Sequence, residues 1–287
     1  MKTQQIWFVT GASKGLGLSL VQQLLLQGHK VAATSRNLED LRKAVGTHTS
    51  FLPLAMDLKA EASVKQAIEQ TIAHFGKIDV VVNNAGYGLL GSLEELSDAE
   101  ARDNFDINVF GSLNVIRQVM PYLREQKSGH IFNISSVGGF TGNFGGWGIY
   151  CATKFAVVGF SESLAAEVKE FGVHVTAVMP GYFRTDFLTA GSMGLPKQQI
   201  DAYTQVRESQ AFHQHNMNGN QMGDPEKAGQ ALIEVASAEN PPLHLFLGED
   251  AYNMAYQKMD AVKKDVEAWK TLTISTGLVQ ASASATV

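Results

Sequence analysis

The 287-residue sequence predicts one doubly wound α/β domain, a seven-stranded parallel sheet with helices on both faces. Three observations lead there. Short apolar runs alternate with segments of helical period seven times. A glycine-rich turn joins the first run directly to the first helix. No linker, internal repeat or change of composition divides the chain before a small polar tail, Ala281 to Val287, which is expected to fray.

Gln5 to Thr10 reads as a short buried strand. Gly11-Ala12-Ser13-Lys14-Gly15-Leu16-Gly17 follows at once, and Leu16, Leu20 and Leu24 recur at helical spacing until Gly28 closes the helix. In that context glycines let the backbone approach a pyrophosphate, and the free N–H groups of the helix start face it. The same residues could also make only a tight turn. Val31 to Ser35 is the second strand, with Arg36 just past its end. An acid at this place reads an adenosine 2′-hydroxyl, whereas a cation suits a 2′-phosphate. Arg36 together with Lys14 therefore favours NADP(H) over NAD(H), although a lone cation is more often solvated surface charge.

Asn37 is placed to cap a short helix through Val45. Phe51 to Ala55 is the third strand, sent to a sheet edge by Pro53, and Asp57-Leu58 closes it. Val64, Ile68, Ile72 and Phe75 mark one helix face. Ile78 to Val82 is an apolar run suited to a strand buried on both sides, ending in Asn83-Asn84-Ala85-Gly86. Helical character runs with interruptions from about Ser97 to Gln126. It includes Asn108, which by propensity alone would face solvent. His130 to Ser135 and Val173 to Met179 are the fifth and sixth strands, separated by a helix from Tyr150 to about Phe171. Residues 186–223 show no clear strand and read as a lid or binding loop. Asp224-Pro225-Glu226 opens another helix, and Leu243 to Leu247 is the seventh strand.

Candidate chemistry concentrates between Ser135 and Lys154. Tyr150 and Lys154 are four residues apart in a helix and share a face. A phenol is a poor acid or base near neutrality, and an adjacent ammonium favours its ionised form. A serine hydroxyl beside it could hold the same substrate oxygen. As isolated features, the pair could be ordinary helix neighbours and Ser135-Ser136 simple turn residues.

Acids outnumber bases 28 to 23, a net charge of −5 with no basic block, which argues against nucleic acid as a partner. No apolar run approaches the roughly 18 residues that cross a bilayer. The start, MKTQQIWFVTG, has no leader region, and a lone Cys151 excludes an internal disulfide, so a cytoplasmic protein is expected. No metal site is expected: His213 and His215 read as polar lid residues and Cys151 as inert.

Taken together, residues 4 to about 250 closely resemble the short-chain dehydrogenase/reductase family. Thr10, Gly11, Gly15 and Gly17 match its TGxxxGxG turn, and Asn83 to Gly86 match its NNAG motif. Tyr150 and Lys154 match YxxxK, and Pro180, Gly181 and Thr185 match the PG motif and its threonine. Asp57 and Asn108 match the adenine-contacting aspartate and the helix asparagine. The catalytic serine looks like Ser136. One residue more than the usual spacing to Tyr150 leaves Ser135 as an alternative.

The resemblance implies a Rossmann-type fold with strand order 3-2-1-4-5-6-7, over residues 1–280 with a lid at 186–223. It implies a tetrad of Asn108, Ser136, Tyr150 and Lys154. It implies a cofactor site drawing on Gly11, Ser13, Lys14, Gly15, Leu16, Gly17, Arg36, Asp57, Leu58, Asn84, Ala85, Gly86, Tyr150, Lys154, Pro180, Gly181 and Thr185. The expected reaction is metal-free, reversible hydride transfer between NADP(H) and a carbonyl or secondary alcohol, in a homodimer or homotetramer. Phe140, Phe144, Trp147, Phe187, Leu188, Met193, Phe212 and Met217 point to an apolar pocket for a hydrophobic ketone. Alternatives are an NAD-dependent alcohol dehydrogenase of the same family and an NADP(H)-binding regulator without turnover. The regulator would be expected to lack the serine, tyrosine or lysine. A sugar-nucleotide epimerase would show a TGxxGxxG turn and a larger C-terminal domain.

Overall fold

Alternation of side chains decides how the central strands are covered. Strand β1 (Ile6–Val9) is buried along its whole length. Trp7 and Val9 enter one core cluster and Phe8 the other, as the two-residue period of a strand requires. The computed structural model describes residues 4–278, so the tail expected from Ala281 lies outside the described residues. The remaining strands are β2 (Lys30–Ser35), β3 (Phe51–Ala55), β4 (Val80–Asn83), β5 (Gly88–Leu89), β6 (Gly129–Ile134), β7 (Val173–Pro180), β8 (Met193–Gly194) and β9 (His244–Leu247). Seven of them form one parallel sheet in the order β3-β2-β1-β4-β6-β7-β9. The two-residue strands β5 and β8 pair with each other outside it. Counted among the seven alone, the order is the expected 3-2-1-4-5-6-7. Pro53 lies on the edge strand, where its missing N–H costs no ladder bond.

On one face, helices α1 (Gly15–Leu26), α2 (Leu38–Val45) and α8 (Pro225–Ala236) contribute Leu20, Leu24, Leu41, Leu232 and Ile233 to the cluster that holds Trp7 and Val9. On the other, α3 (Glu61–Phe75), α5 (Gly111–Gln126) and α6 (Gly148–Val168) contribute Val64, Ile68, Val115, Val119 and Leu164 around Phe8. Each such side chain, taken out of water, contributes roughly 1.5–3 kcal/mol before chain entropy is counted. The caps read from sequence are formed. Asn37 accepts from the N–H groups of Glu39 and Asp40, and Asp224 accepts from Glu226 ahead of Pro225.

The interruptions expected between Ser97 and Gln126 are located, and two further features depart from the sequence reading. The long segment after Ser97 is divided into α4 (Asp98–Phe105), a π-helical turn over Asp106–Phe110, and α5. The wider turn leaves Asn108 only 1% exposed, so it faces inward rather than to solvent. Residues 186–223 hold more structure than expected: β8, helix α7 (Thr204–Ala211) and a π-helical turn over Phe212–Met217. Only Val206 of α7 is buried, so the sequence lacks the apolar stripe that would have announced a helix. Beyond β9 the chain forms α9 (Glu249–Ala268) and α10 (Lys270–Ser275), neither of which the sequence reading anticipated.

Candidate active site

The carboxyl ends of β1, β2, β4, β6 and β7 open into one cleft of about 910 Å³. Its floor is shaped by glycines that nothing larger could replace. Gly11 has φ +66°, and a Cβ there would lie 2.7 Å from Ala85 Cα. A Cβ on Gly17 would lie 2.5 Å from Asn84 Nδ2 and 2.6 Å from the Gly11 carbonyl oxygen. Asn84 crosses between the motifs, donating to the Thr10 and Gly11 carbonyls at 3.0 and 2.9 Å. The α1 N-terminus has no side-chain cap, which leaves its first N–H groups facing the glycine turn. A backbone cradle beside an uncapped helix start fits the pyrophosphate of a dinucleotide.

At the far end of the cleft, Arg36 is exposed just beyond β2, with Asp57 and Leu58 beside it. Asp57 Oδ1 accepts from Lys59 N at 3.0 Å. Lys14 does not point freely into this region: its Nζ donates to the Gly191 carbonyl at 2.8 Å and so bridges the glycine turn to the 186–223 segment. Lys59 also lines the cleft, and pairs with Asp103 at 2.6 Å.

The candidate catalytic groups meet in the middle. Tyr150 and Lys154 lie on the first turns of α6, 9% and 5% exposed. The Lys154 ammonium donates to the Ile134 carbonyl at 2.8 Å and stands 5.8 Å from the centre of the Tyr150 ring. Burial pulls its pKa down to about 8. Burial raises the Tyr150 pKa, only partly opposed by a hydrogen bond with Ser136. Ser136 is thus the serine at the phenol. Ser135 is turned away, donating to the Lys154 carbonyl at 2.8 Å. Asn108 clamps the backbone of Tyr87, accepting from its N–H and donating to its C=O, both at 3.0 Å. It also donates to Thr153 Oγ1 at 3.0 Å, which donates in turn to the Tyr150 carbonyl at 2.7 Å. Gly86 leaves the space between them open: a Cβ there would lie 3.0 Å from Asn108 Oδ1 and 3.5 Å from Lys154 Nζ. Cys151 also faces the cleft, but burial pushes its thiol up to about 11, which keeps it protonated and unreactive.

The other wall is apolar. Phe144, Trp147, Phe187, Leu188 and Met193 line it, as the sequence reading expected. Phe140, Phe212 and Met217 do not. Phe140 packs edge-on to Phe246, Phe212 is 47% exposed, and Met217 packs against the cluster around Trp147. Pro180, Gly181 and Thr185 line the cleft after β7, and Thr185 caps the short helical turn Asp186–Leu188.

Two residues that support this wall, Asp250 and Glu95, were missed by sequence reasoning, and His213 was read only as a polar lid residue. Asp250, at the start of α9, accepts from Tyr182 N at 2.7 Å and sits where a Gly181 Cβ would go. His213 bonds to the Tyr182 hydroxyl at 3.0 Å. Glu95 is fully buried and accepts from Ser92 N and Ile200 N, both at 2.8 Å, and from Arg207 Nη2 at 2.9 and 2.8 Å. The only sequence sign of these partners was polarity at isolated positions, which carries no contact information. Among the described residues no cluster of three or more His, Cys, Asp or Glu could hold a metal, and no helix is long and apolar enough to cross a membrane.

Residues 5–193 match the family described as short chain dehydrogenase. The chain is 36% identical over 274 residues to oxidoreductase BOA17 of Botryotinia fuckeliana, covering 94% of this chain and 98% of that protein. It is 37% identical over 247 residues to the 3-ketodihydrosphingosine reductase of Bacteroides thetaiotaomicron, covering 85% and 88%. The crystal structure of a short-chain dehydrogenase from Streptomyces avermitilis matches with a TM-score of 0.87 at 33% identity, covering 95% of this chain and all of that one.

Glu95 generates a test of how the 186–223 segment is held. Burial opposes its charge, but the N–H groups of Ile200 and Ser92, with Arg207, outweigh that and set its pKa below the ordinary 4.5. A carboxylate depressed on folding contributes stability that is present above its unfolded pKa and lost as pH falls through the folded one. Glu95→Gln should weaken this anchor by roughly 1–3 kcal/mol, since Arg207 keeps some solvent. Limited proteolysis between 195 and 217 should quicken about tenfold or more at pH 7, and wild type should show the same change only below about pH 4.5. Unchanged cleavage in the mutant would remove Glu95 from this role.

Proposed function

The chain belongs to the short-chain dehydrogenase family, and from that premise we propose an NADP(H)-dependent reductase of bulky apolar ketones, run reversibly with their secondary alcohols. The family is one of oxidoreductases that use a nicotinamide cofactor. The observation that carries the reading is the meeting, in one cleft, of Tyr150, Lys154 and Ser136 with the glycine turn and an apolar wall.

When bound, the nicotinamide supplies or accepts the hydride. The cradle for it is proposed as Gly11, Ser13, Lys14, Gly15, Leu16 and Gly17 for the pyrophosphate, Arg36, Asp57 and Leu58 for the adenosine, and Asn84, Ala85, Gly86, Pro180, Gly181 and Thr185 toward the nicotinamide. Ser136 Oγ holds the substrate oxygen by hydrogen bonding and polarises it. Tyr150 donates its phenolic proton to that oxygen in reduction and removes the hydroxyl proton in oxidation. The buried phenol keeps its proton at neutral pH, the form in which it donates to the substrate oxygen in reduction. Lys154 places a positive charge beneath the phenol and serves the ribose hydroxyls. Asn108 positions both through Thr153 and Tyr87. The relative named for reducing a ketone, the 3-ketodihydrosphingosine reductase, supports a carbonyl substrate. We take a homodimer or homotetramer, as the family resemblance implies, and the cytoplasm as its compartment.

Two variants test this. Tyr150→Phe removes only the phenol oxygen and should abolish ketone reduction while NADPH affinity stays within a few-fold. A variant keeping a tenth of wild-type turnover would sink the proton-donor role. Arg36→Asp tests the cofactor. A guanidinium fork meeting a 2′-phosphate contributes roughly 1.5–3 kcal/mol, reduced by solvent at this exposed site. Fluorescence titration should give wild type at least tenfold tighter binding of NADPH than NADH, narrowing as salt rises. In Arg36→Asp the order should reverse. Equal affinities in both proteins would show Arg36 to be surface charge only.

A further inference from the structure

Opposite the reacting corner, a second tyrosine is held in a state whose polarity can be read. Tyr182 lines the cleft, and its hydroxyl lies 3.0 Å from His213 Nε2. His213 is 6% exposed, and its Nδ1 lies 2.7 Å from the Ser209 carbonyl. A carbonyl can only accept, so Nδ1 carries the ring proton and Nε2 presents a lone pair. Tyr182 must therefore give its one proton to His213, and its oxygen is left with acceptor capacity alone. Burial lowers the His213 pKa, so the ring stays neutral and this polarity holds at neutral pH. The pair is fixed in place. Asp250 holds the Tyr182 backbone, and the Trp147 indole packs edge-on to His213 at 5.0 Å and to Tyr150 at 5.5 Å. One indole thus separates the proton donor of the reaction from an acceptor.

We propose that Tyr182 Oη is a second polar contact for the substrate, and that it selects ketones bearing a neutral hydroxyl some carbons away from the carbonyl. An anion would meet lone pairs there, and the Trp147 indole packed on His213 makes the neighbourhood costly for an unpaired charge. The inference rests on the reading of this cleft as a ketone site and adds which ketones it takes.

The test uses 2-ketones of increasing chain length with a terminal hydroxyl, each paired with its methyl ether, which keeps the oxygen but cannot donate. Two quantities are measured: kcat/KM with NADPH, and Kd for the same ketones on protein saturated with NADP+, where no reduction can occur. Wild type should prefer the hydroxyketone by roughly five- to tenfold at one chain length in both, the effect of one neutral hydrogen bond. Tyr182→Phe should bring that ratio to about one. His213→Phe, which frees the Tyr182 hydroxyl to donate as well as accept, should lose the discrimination against the ether and bring the ratio toward one. Reduction without preference at any length, or a preference unchanged in Tyr182→Phe, would overturn the hydroxyl site alone. Failure to reduce any ketone with the binding preference intact would overturn the ketone reading and leave the hydroxyl site standing.

Discussion

A positive charge buried at the end of a strand governs the geometry of this cleft. Lys154 is almost wholly removed from water, and its ammonium has the Ile134 carbonyl at 2.8 Å. Burying an ammonium is costly unless it is bonded, and the cost appears as a pKa near 8. The arrangement persists because neighbouring groups are tied to the same short stretch of α6. Ser135 bonds the Lys154 carbonyl, Thr153 bonds the Tyr150 carbonyl, and Asn108 bonds Thr153. A π-helical turn brings Asn108 inward to do so. Ser136 is then left free of that lattice and meets the Tyr150 phenol. The fold supplies the ends of β4 and β6; the buried lysine supplies the reason for the bonds among them.

Most of the sheet and its order were legible because strands buried on both faces are written as unbroken apolar runs. Val80 to Val82 and Ile131 to Phe132 are of this kind, each fully buried. The glycine turn was legible for a related reason. Gly11 and Gly17 are contacts of backbone with backbone or amide, so they tolerate no other residue and leave a local signature. Pro53 marked an edge by what it lacks.

The 186–223 segment was not legible, because it is held by polar partners far apart in the chain. Glu95 meets Ile200 and Arg207, Asp250 meets Tyr182, and Lys14 meets Gly191. None of these pairs leaves a periodicity. Lys14 illustrates the limit most clearly: its place in the glycine turn suggested a phosphate contact, and nothing local announced that its ammonium also bonds the Gly191 carbonyl. Asn108 shows the opposite case, where propensity pointed to solvent and only the resemblance placed it inward.

The charge and burial of Lys154 organise the cleft, and a titration of that one side chain tests this most directly. Protein labelled with 13C at lysine Cε would be followed by NMR from pH 6 to 11, with Lys154→Met identifying the resonance. One lysine titrating near 8, and missing in the mutant, is the predicted result. If every resonance, that of Lys154 included, titrates near the ordinary value of 10.5, the ammonium is solvated and the geometry described around it is wrong.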